Sequence, residues 1–288
     1  MTKRTLQGEL LLAGHRVRAV SIGGQETAID LPDLGVAFDV GRCPQWLVSR
    51  QTLLFTHSHV DHMGGIISHT AMRGLLNVAP PTYVVPHESV AGLKALFRAW
   101  RELDGSELAH ELVPLGPGDE YVLSPRLVAR AFRSHHTAPC QGYALTSLNK
   151  KLKPAYRELH PEEIRKLRVD EGVEVAEEVR RTEVAFVGDT RIEVVQAERV
   201  VRTAKLLVLE VTFLDERVSV EQAREMGHIH LDEVIENAEL FKNEAILFTH
   251  FSARYRAGEI PKILDERLPA GLRERVTPLV SGHRPMKL

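Results

Sequence analysis

Cysteine is nearly absent: Cys43 and Cys140 are the only two among 288 residues, and they lie far apart in the chain. That excludes a disulfide framework and fits a reducing compartment. Long apolar runs are also missing. Leu10-Leu11-Leu12-Ala13, within the opening residues 1–18, is too short for a signal sequence or a membrane span. The expectation is therefore a cytoplasmic enzyme with no membrane partner. Charge of one sign is lacking as well. The formal net charge is −2, so no global basic field announces a nucleic-acid partner, and a phosphate-rich ligand must be met by a local patch. There are no internal repeats, low-complexity tracts or Ser/Pro/Gly linkers, so residues 1–288 read as a single domain. What remains is an ordinary globular composition, 43% hydrophobic and 26% charged, long enough to bury a core.

Against that plain background one segment stands out. His57-Ser58-His59-Val60-Asp61-His62 packs four potential metal ligands into six residues, directly after the apolar run Leu53-Leu54-Phe55-Thr56. Side chains alternate along an extended segment, so His57 and His59 face one site. Asp61 and His62 fall on the following turn, where the chain must bend at Met63-Gly64-Gly65. Three imidazoles and a carboxylate exceed what one tetrahedral zinc with its water needs, which suggests a two-metal site.

The rest of the chain alternates only partly between strand and helix. Short β-prone runs occupy residues 7–12, 17–22, 26–30 and 36–40, and 50–56 reads as a buried strand. Helical patterning follows in 65–76 and 89–103, the latter with Val90, Leu93, Leu96, Phe97 and Trp100 at helical spacing. Residues 82–85 form a strand, and 113–122 read as loop and turn. Further strands are expected at 126–133, 142–145, 183–187, 204–210 and 245–249, and helices at 219–226 and 231–241. Residues 150–178 are charged, with short helical patches. An all-β opening followed by mixed elements predicts a layered α/β sandwich rather than a doubly wound parallel sheet.

Four apolar strands end in ligand-type residues: at His57, near His136, at Asp189 and at His250. Functional groups gather at strand ends, where loops converge, and a preorganised metal centre needs such convergence.

On these residues the chain resembles the metallo-β-lactamase superfamily and, within it, the ribonuclease Z (tRNA 3′-endonuclease) family in its short, plant-like form. The resemblance spans nearly the whole length. It is carried by Ser21-Ile22-Gly23-Gly24, Phe38-Asp39-Val40-Gly41, the Phe55 to Gly65 motif, and His136 with Pro139 and Gly142-Tyr143. Gly188-Asp189-Thr190, Glu210-Val211-Thr212-Phe213, Gly227-His228-Ile229-His230 and Phe248-Thr249-His250-Phe251-Ser252-Ala253-Arg254-Tyr255 continue it, together with Lys151-Leu152-Lys153-Pro154. The implied fold is an αββα four-layer sandwich of two mixed β-sheets flanked by helices.

The resemblance also implies roles. One zinc would be held by His57, His59 and His136, and a second by Asp61, His62 and His250, with Asp189 bridging; manganese or iron would also suit these ligands. Two cations ~3.5–4 Å apart share a bridging hydroxide and clamp the attacking and leaving oxygens, and they depress the pKa of bound water toward ~7. Asp61, His228 and Glu210 form the catalytic set, with His228 as proton donor to the leaving group and Glu210 as its orienting carboxylate. In the bacterial pattern Ser or Thr follows that histidine, whereas here Ile229 and His230 stand there, and His230 reads as an ordinary helix-start residue. Asp39 would brace a ligand histidine through its second ring nitrogen. Arg254 and Tyr255 would contact substrate; for Arg254 a fork onto phosphate stands beside a structural salt bridge. Cys140 has no ligand role by the family's spacing and reads as a small buried side chain.

Relatives of this kind grip the tRNA elbow with an arm inserted after Gly142-Tyr143, here residues 146–182. Between Lys150 and Arg168 seven basic residues, Lys151 and Lys153 among them, face three acidic ones, the local patch that phosphate binding calls for. The stretch that follows is acidic. The implied activity is zinc-dependent hydrolysis of the phosphodiester joining precursor tRNA to its 3′ trailer, with the precursor as partner and a homodimer as assembly. A second reading keeps the metals but turns them on a small molecule, as in a cyclic nucleotide phosphodiesterase, thioesterase or lactonase, because fold and ions do not fix substrate. A third, a non-catalytic RNA-binding relative, would have lost ligands, and none is lost here.

Overall fold

Alternating apolar side chains build two sheets that share one inner core, and each carries a second core on its outer face. The computed structural model describes residues 9–280 and 282–283; the start of the strand expected at 7–12 lies outside them. The first sheet runs β1 (Glu9–Leu12), β2 (His15–Ile22), β3 (Glu26–Leu31), β4 (Val36–Phe38), β5 (Thr52–Leu54), β6 (Thr82–Pro86) and β7 (Glu111–Leu115), in that spatial order. Its first four strands pair antiparallel and the remainder parallel. The second sheet repeats the plan. β8 (Glu120–Ser124), β9 (Leu127–Ser134), β10 (Cys140–Leu152) and β11 (Ala176–Phe186) pair antiparallel. β12 (Leu206–Glu210), β13 (Ala245–Thr249) and β14 (Val276–Pro278) then follow in parallel.

The alternation assigns each face. Leu54 and Val84 point inward to meet Val184, Val208 and Leu247 of the other sheet, with Phe38, Tyr143 and Phe186 stacked among them. Their neighbours Leu53 and Val85 point outward, against α1 (Val60–Met63), α2 (Ile66–Leu75) and α3 (Val90–Asp104). α4 (Pro161–Val169) lies apart, between β10 and β11. On the far side, Leu207, Leu209 and Phe248 pack against residues of α5 (Glu193–Ala197), α6 (Arg199–Thr203), α8 (Leu231–Glu236), α9 (Ile260–Arg267) and α10 (Ala270–Arg273); α7 (Val220–Glu225) adds a smaller cluster around Ala223. The result is the αββα sandwich expected from the sequence. Among the described residues no helix is long and apolar enough to cross a membrane.

Several expectations change. Residues 113–122, read as loop, belong partly to β7 and β8. Pro114, Gly116, Pro117 and Gly118 suggested a loop, but β7 and β8 are the outermost strands of their sheets, where proline costs no ladder bond. β10 and β11 are far longer than the strands read at 142–145 and 183–187. They leave the sheet as a hairpin arm, with Lys150 opposite Glu178 and Lys151 opposite Glu177. Both faces of that arm are wet, so no apolar period marked it. The start of the basic half thus lies opposite part of the acidic half, while Arg165, Lys166 and Arg168 sit on α4 at the end of the arm. α3 buries Leu93 and Phe97, while Leu96 and Trp100 of the same expected stripe are 39% and 42% exposed.

Candidate metal centre

β5, β9, β11, β12 and β13 deliver their chain ends to one rim of the sandwich. His57 follows β5 by an extended Phe55-Thr56, and His59 is the N-cap of α1, which carries Asp61 and His62. His136 follows β9, Asp189 follows β11, and His250 follows β13. Glycine permits two of these approaches. Gly188 has φ +64°, and a Cβ there would lie 2.7 Å from Thr56 Cβ, so a side chain would hold β11 away from His57. Gly227 has φ +81°, and its Cβ would come within 2.7 Å of His136 Nδ1. His250 itself sits at φ 61°, a left-handed conformation uncommon for a residue with a side chain and typical of functional sites.

Three overlapping ligand groups result, one of them, Asp189 with His228 and His250, sharing its aspartate and His250 with the other two. Of those two, His57, His59, His136 and Asp189 converge in one, and Asp61, His62 and His250 in the other. Asp189 touches both, with Oδ2 at 3.8 Å from His57 Nε2 and 3.4 Å from His250 Nε2, and Oδ1 at 3.3 Å from His62 Nε2. The order of the strand ends explains this meeting: Asp189 leaves the middle of the second sheet and faces the end of β5 across the core.

The side chains are aimed. His57 Nδ1 donates to Thr56 Oγ1 (3.0 Å), His62 Nδ1 to Asp39 Oδ2 (2.8 Å), His136 Nδ1 to Gly227 O (2.9 Å) and His250 Nδ1 to Thr212 Oγ1 (2.9 Å). Each bond fixes a tautomer and turns Nε2 toward the centre, the outer support that metal-binding histidines carry. Asp39 is fully buried and also accepts from Thr56 N and Thr56 Oγ1. It stands where a bracing carboxylate was expected.

A metal fits these residues. His57 Nε2 and Asp189 Oδ1 are buried without a hydrogen-bond partner, a costly state that a cation would relieve. His59 Nδ1 lies 3.3 Å from His136 Nε2, and His62 Nε2 lies 3.3 Å from His250 Nε2. Two nitrogens bound to one tetrahedral ion at about 2.0 Å stand about 3.3 Å apart. Burial works against ionised Asp189, yet the His250 and His62 charges hold it well below the usual carboxylate range. Burial likewise opposes ionised Asp61, but the His250 hydrogen bond and the His62 charge depress it. Burial and the neighbouring imidazole of His62 push His57 well down, leaving it neutral with a lone pair to give. The cluster has the composition and spacing of a metal-binding site.

Beside it, His228 lines a cavity of about 460 Å³ together with His250, Phe213 and Arg254. Its Nδ1 is 3.0 Å from Glu210 Oε1, whose carboxylate also accepts from the backbone N–H groups of Thr190, Ile229 and Thr212. Burial disfavours the His228 cation, but Glu210 outweighs it and lifts the group to about 9; cations next to it would oppose that rise. Thr212 Oγ1 donates to Glu210 Oε2 at 2.7 Å, tying the His228 partner to the His250 partner. Sequence reading assigned Thr212, Thr56 and Gly227 no role. All three lie inside motifs that were quoted, yet only contact reveals what they hold.

The remaining residues divide. His230 is buried as the N-cap of α8, its ring accepting from Asp232 N; it takes the place of the missing Ser or Thr. Tyr255, expected to touch substrate, is fully buried. Its hydroxyl accepts from Leu214 N and donates to Asp215, and Arg217 covers its ring. It braces the loop and is not available to a ligand. Arg254 is exposed, its guanidinium 5.7 Å from the centre of the Phe213 ring and on the cavity wall. Lys151 and Lys153 lie out on the arm, away from both ligand groups. Cys140 is buried, and its thiol donates to Asp189 O.

Known proteins resemble this chain in sequence and in fold. The profile of the Beta-lactamase superfamily domain matches residues 43–251. The chain is 44% identical to tRNase Z TRZ1 of Arabidopsis thaliana over 94% of its own length and 97% of that protein. It is 38% identical to the chloroplastic tRNase Z TRZ2 of the same plant, over 95% and 77% of the two chains. The crystal structure of human tRNase Z, short form, superposes with a TM-score of 0.56 at 21% identity, covering 82% of this chain and 92% of that one.

Proposed function

We propose that this chain, which belongs to the ribonuclease Z (tRNase Z) family of the metallo-β-lactamase superfamily, is an endoribonuclease that removes the 3′ trailer from precursor tRNA. What carries the reading is the pair of His/Asp groups meeting at Asp189, with the His228–Glu210 pair beside them, in a chain so similar to proteins named tRNase Z. Two zinc ions would suit these ligands, one taken by His57, His59 and His136 and the other by Asp61, His62 and His250, with Asp189 within reach of both groups. Bound there, they supply hydroxide at neutral pH and neutralise charge on the phosphorus.

The protein's own groups do the rest. Asp39, Thr56, Thr212 and Gly227 O hold four imidazoles in the orientation the ions require. Glu210 keeps the His228 Nδ1 proton, so the proton on Nε2 is the one delivered to the departing oxygen. That proton matters because an alkoxide is a poor leaving group; general acid catalysis contributes about 10²–10⁴-fold. Arg254 is placed to fork onto a phosphate at the cavity wall. The arm takes the body of the tRNA. Lys150 and Lys151 stand across the hairpin from Glu178 and Glu177, whose charges offset part of the arm's positive field, so it positions RNA more than it attracts it.

A homodimer is the assembly we infer, formed through α2 and α3. Leu75 and Leu103 are 78% and 79% exposed there, and Trp100 opens on the same apolar groove as Val60 and Leu96, a patch that calls for cover. Two free cysteines suit a reducing compartment such as the cytoplasm.

The test is direct. Zinc- or manganese-loaded protein given precursor tRNA should make a single cut after the discriminator base and leave a 3′-hydroxyl. Fully loaded protein that leaves the precursor intact would refute the reading. His228→Ala should lower kcat by about 10²–10⁴ without loss of metal; loss of metal would reassign His228 as a ligand.

A further inference from the structure

Among the described residues, two cavities that share no lining residue reach the ligand groups. The first, already described, carries His228 and touches the second ligand group through His250. The other, about 640 Å³, touches the first group through His136 and is lined by Arg133, His135, Pro139, Arg191 and Glu88. Both fall within the ~300–1,000 Å³ of ligand sites.

The chemistry gives the pair a direction. A hydroxide oxygen forms the new bond to phosphorus. The P–O3′ bond breaks, and its electron pair leaves on O3′, which takes the His228 proton. The nucleotide that owns O3′ is therefore on the His228 side, in the first cavity. The phosphate stays with the downstream strand, whose chain must continue away from His228.

The second cavity is built for such a strand. Arg133, exposed at the end of β9, makes no ion pair and no side-chain hydrogen bond among the described residues. Arg191 spends only Nε, on Arg224 O at 2.7 Å, and its backbone N–H fixes it to His135 O. Glu88 is the sole carboxylate on the wall. The first cavity, by contrast, has one arginine, Arg254. We propose that the second cavity seats the first nucleotides of the RNA segment that is cut off, with Arg133 and Arg191 on its backbone phosphates. The proposal rests on the endoribonuclease reading above and adds the polarity with which RNA crosses the centre.

Two measurements test it on the metal-loaded protein. The first is binding of a short 5′-phosphorylated single-stranded RNA, followed by fluorescence anisotropy across a salt series. Each phosphate contact on a single strand contributes about −0.7 to the slope of log K against log salt. Arg133→Ala should therefore flatten the slope by about 0.7, and Arg133→Ala with Arg191→Ala by about 1.4. The second compares KM for two precursors with the same body, one carrying a long trailer and one a single-nucleotide trailer. Arg133→Glu should raise KM for the long trailer by about tenfold, a contact's worth of affinity, and leave the short one and bis(p-nitrophenyl) phosphate unchanged. An unchanged salt slope, or equal KM changes on both trailers, overturns the proposal. Wild-type protein that binds the oligonucleotide through Arg133 but cuts neither precursor would instead sink the endoribonuclease reading.

Discussion

Gly227→Ala tests the claim that the centre is held by its outer supports as much as by its ligands. Gly227 has φ +81°, and the added methyl would lie 2.7 Å from His136 Nδ1 and 3.0 Å from Thr137 N. The backbone term alone is about 1–2 kcal/mol for a residue with a Cβ in the left-handed region. For a chain of this size that corresponds to a fall in Tm of roughly 2–8 °C. The second effect is specific. Gly227 O is the acceptor that aims His136, at 2.9 Å from Nδ1, and the methyl pushes the same ring. His136 must pivot, and its Nε2 leaves the 3.3 Å approach to His59 Nδ1. Loss of such an outer contact lowers metal affinity by about 10–100-fold. Chelator competition followed by elemental analysis would read the affinity, and calorimetry the stability. A variant that melts early yet holds metal as tightly as the wild type would refute the reasoning, because strain would then be Gly227's whole contribution.

Asp39→Asn keeps the shape beside His62 but removes the carboxylate that fixes its tautomer, so metal affinity should fall about 10–100-fold with little change in secondary structure by circular dichroism. Replacing residues 151–170 by a short Gly-Ser turn should raise KM for precursor tRNA while leaving bis(p-nitrophenyl) phosphate hydrolysis unchanged; equal loss on both would remove the arm from substrate binding. His69 is buried against Tyr83 and Leu47 O, and burial, with help from Arg73, lowers it to about 4. A folded value below the unfolded one means full stability above about pH 6.5, lost as pH falls toward 4, by about 3 kcal/mol in all. Urea unfolding across that range should be steeper in pH for the wild type than for His69→Gln; parallel curves would show that other groups govern the loss.

Four ligand positions were legible because each is a polar residue at or near the end of an apolar strand, a contrast that survives without any structure. His57, His136, Asp189 and His250 show it, and His59, Asp61 and His62 stood out by their density just after His57. Their supports were not. Thr212 is one hydroxyl in a buried stretch, and its link from Glu210 to His250 joins residues far apart in sequence. Tyr255 misled because proximity to His250 in the chain says nothing about which way a ring turns; its hydroxyl found Leu214 N in the interior instead. The arm's strands escaped notice for the opposite reason. With solvent on both faces they carry no apolar period, and Lys150–Glu178 pairing becomes visible only in the register. β7 and β8 hid behind prolines that outermost strands tolerate.

The placement of the ligands in two separately built sheets has a consequence for how the protein is made. His57, His59, Asp61 and His62 follow β5 of the first seven-stranded sheet, and His136, Asp189 and His250 follow β9, β11 and β13 of the second. Chains fold from the N-terminus as they leave the ribosome, so the early histidines exist for most of synthesis with no complete cage to join. Until His250 has been added and β13 has docked beside β12, the growing polypeptide has no working cutter. An RNA-cleaving centre thereby stays incomplete until the strand that carries His250 has emerged and docked.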